Sequence, residues 1–295
     1  MIPVFPEFKP LELSDRAAVE AIVHSFPPYS DFNFTNLYAW DAQVSSLHGN
    51  LAVRFSDYLS EAPFLAFIGR HRLADTATQL LELAKAQCRS AILRLVPGSA
   101  AHALAEAGLV VTADDAAKDY VYAVAHIASM HEWTGHDCSR RIRRFSERHP
   151  NYTVRHAPLH AIDAKEFCAL FMLWAALRSD HQMHSRHEYR AFERFLRLSD
   201  TNIETVGLYV EDCMVGFSSF ELLPDETAIV HFSKTDNAFH GGICDVLSWE
   251  EAKLLQSRNV RHYNWQQDLG LKGLQQSKKK YQPCHFLKKF TVRKL

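Results

Sequence analysis

Polar residues gather at the ends of two strand-like runs. Thr227 to Lys234 leads into Thr235 and Asp236, and Val260 to Trp265 leads into Gln266, Gln267, Asp268 and the Gly270–Gly273 turn. A strand that stops at a carboxylate and a glycine turn places polar groups at a sheet edge. Lys234, Asp236, Gln267 and Asp268 are residue types that handle protons or stabilise a developing oxyanion.

Other side chains suggest binding. Arg140, Arg144 and Arg148 share one helical face with Arg141 on its flank, while Ile142 and Phe145 can face inward. Guanidinium forks suit phosphate oxygens, so Arg140, Arg141 and Arg144 form a candidate phosphate-binding face; the alternative is a solvated connecting helix. The tail carries Lys272, Lys278, Lys279, Lys280, Lys288, Lys289, Arg293 and Lys294 with no acid among them. That is a candidate polyanion track or simply a soluble basic end. Gly241 and Gly242 permit close backbone approach. His181, His184 and His187 recur every three residues beside Asp180; a polar loop accounts for them, and no metal is expected. Glu221, ending a central strand, is a further possible base. No GxSxG, HExxH, Walker or Rossmann signature is present.

These residues must be held by a mixed set of elements. Helices are expected over Leu11–Phe26, Ala74–Cys88, Ala100–Ala107, Ala164–Arg178, Arg186–Leu198, Val246–Ser257 and Leu274–Lys280. Strands are expected over Leu51–Ser56, Phe64–Ile68, Ala91–Val96, Asp119–Ala125, Tyr152–His156, Ile203–Glu211, Met214–Leu222, Thr227–Lys234, Val260–Trp265 and Phe286–Val292. The aromatic run Phe32 to Trp40 reads as packing. The chain has 295 residues, 47% of them apolar and 23% charged, with a net charge of −1. These values fit an ordinary globular protein and argue against whole-protein attraction to nucleic acid or membrane. The six cysteines are scattered, without a CxxC pair, and read as reduced thiols. With no signal-like apolar run and none near 18 residues, the expected compartment is the cytoplasm.

Several stretches resemble one family. Phe34-Thr35-Asn36-Leu37-Tyr38-x-Trp40, the Arg140–Arg144 run and His231-Phe232-Ser233-Lys234-Thr235-Asp236 resemble motifs of the phosphatidylglycerol lysyltransferase C-terminal domain family. Trp249, Asn264, Gln267, Asp268, Gly270, Gly273, Leu274, Lys278, Tyr281 and Pro283 continue the match. In the arginine run the family's lysines are replaced by arginines and its Asn is not obvious. The resemblance implies an α+β fold of two tandem GNAT-like (acyl-CoA N-acyltransferase-like) domains, each a mixed sheet flanked by helices. The element order agrees, with expected domains at 1–135 and 136–295.

In that fold the donor carbonyl lies between two splayed parallel strands, here Thr227–Lys234 and Val260–Trp265. Lys234, Asp236 and Asp268 are then the candidate catalytic residues. Asn264, Gln267, Gly241, Gly242, Lys278 and Tyr281 are expected to bind donor; Arg140, Arg141, Arg144, Lys288 and Lys289, phosphate; and Trp174, Arg178 and Glu188, acceptor. Coenzyme A users of the fold carry a basic Gln/Arg-x-x-Gly-x-Gly/Ala loop. The loop after Lys234 lacks that basic residue, and Asp236 and Asp245 flank it. The expected donor is aminoacyl-tRNA, with acetyl-CoA disfavoured and no tightly bound cofactor. The expected acceptor is an amine or hydroxyl on a small molecule, peptide or lipid head group. An acetyl-CoA-dependent N-acetyltransferase and a non-catalytic protein that binds a polyanion or phospholipid head group are the alternatives.

Overall fold

Short runs rich in apolar, aromatic and β-branched residues, in the central strands covered on both faces, build the strands, and apolar stripes at helical spacing build the helices that cover them. The computed structural model describes residues 1–88, 90–177, 182–199, 202–236 and 242–295. The first stretch holds β1 (Lys9–Pro10), α1 (Arg16–Val23), α2 (Phe34–Ala39), β2 (Gln43–Leu47), β3 (Asn50–Ser56) and β4 (Pro63–Ile68). It continues with α3 (Leu73–Gln87), β5 (Ile92–Pro97), α4 (Gly98–Glu106), β6 (Val110–Ala113), β7 (Asp119–Ala123) and α5 (Val124–Ala128). Then come α6 (Asp137–Arg148), β8 (Thr153–Pro158), α7 (Ala164–Ala176), α8 (Gln182–Phe195), β9 (Ile203–Val210), β10 (Cys213–Leu222) and β11 (Thr227–Thr235). The chain ends through α9 (Ile243–Ser257), β12 (His262–Asn264), α10 (Lys272–Lys279), β13 (His285–Leu287) and β14 (Lys289–Arg293).

Among the described residues these strands form two seven-stranded sheets, ordered β1-β2-β3-β4-β5-β14-β6 and β13-β7-β12-β11-β10-β9-β8. Each sheet has one parallel pair, β4 with β5 and β11 with β12, and its other pairs are antiparallel. The two sheets therefore share one plan: four antiparallel strands, a parallel fork, then two further antiparallel strands.

The sheets exchange strands across the expected 135/136 boundary. β7, from before it, lies in the second sheet between β12 and β13, and β14, from after it, lies in the first between β5 and β6. The single expected strand Phe286–Val292 is in fact two strands in different sheets. They part at Lys288, and the next residue sends its side chain into buried carboxylates (Lys289 with Asp31 and Asp119). This charge pairing anchors the crossing.

The aromatic run packs as expected. Phe32, Phe34 and Leu37 are buried in the first core, and the Asn33 side chain caps α2 by accepting from the Asn36 N–H. Phe167, Phe171, Phe192, Phe195, Phe217 and Phe232 fill a second core under α7 and α8. No described helix is long and apolar enough to cross a membrane.

Candidate active site at a strand fork

β11 and β12 pair over three positions only: Thr227 with His262, Ala228 with Tyr263 and Ile229 with Asn264. Beyond them β11 runs on to Thr235 while β12 turns away. The turn is built locally. The Asn264 Oδ1 accepts from the Gln266 N–H at 2.7 Å, and Gln266 takes a positive φ of 59°. Its side-chain amide reaches across the fork to the carbonyls of Val230 and His231. The Lys278 ammonium donates to the carbonyls of Trp265, Gln266 and Gln267, matching its three N–H groups to three acceptors. Burial lowers the Lys278 pKa to about 7, against the raising pull of Asp119 and Asp268.

A pocket of about 440 Å³ opens where the strands part, lined by both strand ends, α9 and α10. Lys234 and Glu188 form an ion pair of 2.7 Å in its wall. The Lys234 ammonium also lies 4.0 Å from the centre of the Trp174 ring, a cation–π contact. The corresponding fork in the first sheet is narrow. It pairs at Leu65 and Leu93, the cavity beside it is only about 60 Å³, and Arg94 bridges to Asp57 at 2.7 Å. Of the two forks, the second has the larger cavity among the described residues.

Behind the fork lies a buried charge network between the sheets. Lys289 is fully buried, paired with Asp31 and Asp119, and donates to the Gln267 side-chain carbonyl at 3.0 Å. Burial opposes its charge, but the two carboxylates outweigh it and raise the pKa. Asp119 also accepts from the Ser30 N–H and hydroxyl and from Asn264. Glu221 is buried against His231 at 3.1 Å and accepts from Asn33 at 3.0 Å; His231 in turn contacts Asn36. Burial opposes ionisation of Glu221, but these partners hold its pKa below the usual range. Glu221 therefore ties α2 to the second sheet and is not a base at the pocket.

The expected site residues divide accordingly. Lys234, Glu188, Trp174, Gln267, Lys278 and Tyr281 line the pocket. Asp268 does not: it is fully buried, accepts from the Tyr120 hydroxyl at 2.6 Å and the Gly270 N–H at 2.8 Å, and shapes the loop after β12. Asp236, just past β11, lies outside the pocket wall. Asn264 is buried and builds the turn. Tyr281 lines the pocket and donates its hydroxyl to Asp245 at 2.7 Å. Gly242, at φ +120°, passes so close to α6 that an added Cβ would meet the Arg141 carbonyl oxygen at 2.9 Å. Gly241 and Arg178 lie outside the described residues.

The phosphate set is also redrawn. Lys289 is not on the surface, because its ammonium is held by two buried carboxylates. Arg141 pairs with Asp245 at 2.6 Å, where burial is outweighed and the Asp245 pKa is lowered. Arg140 pairs with Asp137 at the start of α6. In the tail Lys280 pairs with Asp245 and Lys294 with Glu82. Arg144, Lys272, Lys279, Lys288 and Arg293 are exposed. Lys279 and Lys288 both act on Asp115, which pairs with Lys118, so these three lysines share one region. His187 is buried against the Trp40 ring; His181 and the His184 side chain lie outside the described residues.

Sequence reasoning passed over one pocket group. Glu251 on α9 is buried at 2% exposure beside Ser218, Tyr263 and Trp265. Its signal was present: Ile243, Leu247, Glu251 and Leu255 fall at helical spacing, so a carboxylate sits within the apolar stripe.

The family model for the phosphatidylglycerol lysyltransferase C-terminal region matches residues 25–293. The chain belongs to that family. A comparison with curated proteins finds no match. Among solved structures, a conserved protein of unknown function from Bacteroides thetaiotaomicron VPI-5482 is 24% identical, with a TM-score of 0.78 over 100% of both chains. L-PGS from Bacillus licheniformis is 13% identical, with a TM-score of 0.63 over 100% of this chain and 94% of that one. A tandem GNAT protein from the clavulanic acid biosynthesis pathway is 12% identical, with a TM-score of 0.52 over 97% and 98%. The fold is that of tandem GNAT proteins, as expected. Phosphatidylglycerol lysyltransferase family membership places the chain among acyltransferase-type proteins.

Proposed function

We propose that this family member moves an aminoacyl group from aminoacyl-tRNA to an amine or hydroxyl acceptor at the β11/β12 fork. The parting of the two strands after Ile229 and Asn264, with the pocket opening at that point, carries the reading. A reactive carbonyl lying in the fork is flanked by backbone and by the Lys234–Glu188 pair. Attack by the acceptor nitrogen or oxygen forms the new bond to the carbonyl carbon. Collapse of the tetrahedral species breaks the ester bond to the ribose oxygen. Glu188 takes the acceptor's proton and returns one to the leaving ribose oxygen. Lys234 positions Glu188, and the Trp174 ring packs against the Lys234 ammonium. Asp268 acts at a distance by holding the loop that carries Gln267. The exposed Lys279 and Lys288, with Lys118 beside them, offer phosphate contacts for the tRNA arm.

The test is binding of charged tRNA, uncharged tRNA and acetyl-CoA, each at two salt concentrations. Preference for charged tRNA with a steep salt slope is the expected result. Tight acetyl-CoA binding without tRNA binding would overturn the donor assignment, and binding of none would favour a non-catalytic role.

A further inference from the structure

One wall of the pocket contains polar groups that the transfer step does not use. The Glu251 Oε1, the Tyr263 hydroxyl, the Ser218 hydroxyl and the Trp265 indole N–H are all buried, and none makes a well-formed hydrogen bond. All four residues line the same pocket. The hydroxyls of Tyr263 and Ser218 face the Glu251 carboxyl, and the rings of Tyr263 and Trp265 meet edge-on at 5.3 Å. These four groups meet one another only in contacts short of full hydrogen-bond geometry; incomplete pairing of buried polar groups is costly, so such a cluster marks a place where a ligand completes the set.

The charge of the wall suits a cation. Glu188 and Glu251 are the carboxylates of the pocket wall, and Glu188 already has Lys234. The other pocket lysine, Lys278, is turned to three backbone carbonyls. Among the described residues no cation acts on Glu251. Carboxylate, phenol and serine oxygens around two aromatic rings are the donor set for a primary ammonium.

We propose that the Glu251–Tyr263–Ser218–Trp265 niche binds a protonated primary amine of the pocket's ligand. This rests on the reading of the fork as the transfer site, where an amine arrives either as the α-ammonium of the aminoacyl group or on the acceptor. It assigns Glu251 to ligand binding, not to proton transfer.

The experiment follows the indole N–H resonance of Trp265, assigned with Trp265→Phe, during titration of the whole protein. The probes are glycinamide, an α-ammonium beside a carbonyl; 1,4-diaminobutane, an amine without one; and neutral N-acetylglycinamide. The expected result is saturable shifts with an amine and at least tenfold weaker binding of the neutral probe. Preference for glycinamide assigns the niche to the donor, and preference for diaminobutane to the acceptor. Glu251→Gln keeps the shape and is expected to weaken amine binding at least tenfold, with Tyr263→Phe weakening it less. Equal binding of the neutral probe, no shift with either amine, or unchanged amine binding in folded Glu251→Gln would overturn the proposal. Amine binding without any charged-tRNA binding would instead overturn only the donor assignment; charged-tRNA binding without an amine response would overturn only the niche.

Discussion

Replacing Glu251 by Gln should stabilise the protein, and should do so only above the ordinary carboxylate range. Burial is the main influence on Glu251 and raises its pKa from 4.5 to about 7, with Tyr263 and Ser218 opposing. The unfolded chain releases this proton at the ordinary value, whereas the folded chain holds it to about 7. Below pH 4.5 both states are protonated and the group costs nothing. As pH rises from there through 7 the unfolded state gains the charge first, and the folded state loses stability. The full loss is about 3 kcal/mol, at roughly 1.4 kcal/mol per pH unit of displacement. Gln copies the neutral acid and never carries that charging cost. Urea unfolding of both proteins at pH 5 and pH 8, at fixed salt, measures the difference. The variant should be about 3 kcal/mol more stable at pH 8 and about 1 kcal/mol or less at pH 5. The same gap at both pH values, or a less stable variant at pH 8, refutes the argument. A stabilised variant that binds amine poorly is the signature of a group kept for function against stability.

Other expectations follow from the same geometry. Lys289→Met strands Asp31 and Asp119 in the interior, and chemical denaturation should show a loss of about 3–5 kcal/mol; a loss under 1 kcal/mol would mean water reaches the network. Gly242→Ala forces a side chain onto a positive φ against α6, costing about 1–3 kcal/mol by the same assay. Glu188→Gln should lower aminoacyl transfer by about 10²–10⁴-fold while thermal unfolding stays near wild type; transfer within twofold of wild type removes Glu188 from the mechanism. Charge reversal at Lys279 and Lys288 should flatten the salt dependence of tRNA binding by about one for each phosphate no longer neutralised, and an unchanged slope would move the tRNA track elsewhere.

The sequence by itself determined most of the longer elements and their type, but not the short β1, β2, β6, α2 and α5, nor the break between β13 and β14. Apolar periodicity marked α9, which buries one face, while near-continuous apolar and β-branched runs marked β9, β10 and β11, which are covered on both faces. The motif residues Lys234 and Glu188 were also legible as site candidates. Their partnership was not, since 46 positions separate them and only the packing of α8 against β11 brings them to 2.7 Å. The tail shows the limit most plainly. Lys278, Lys288 and Lys289 look alike in a basic run, yet the first ties down a loop, the second is exposed and the third is fully buried. Nothing local distinguishes them, because the carboxylates that claim Lys289 come from Asp31 and Asp119, far back in the chain. The same holds for the strand exchange. A four- or five-residue strand carries too little pattern to say which sheet it joins, and that choice was made by long-range pairing and by a lysine that needed two acids.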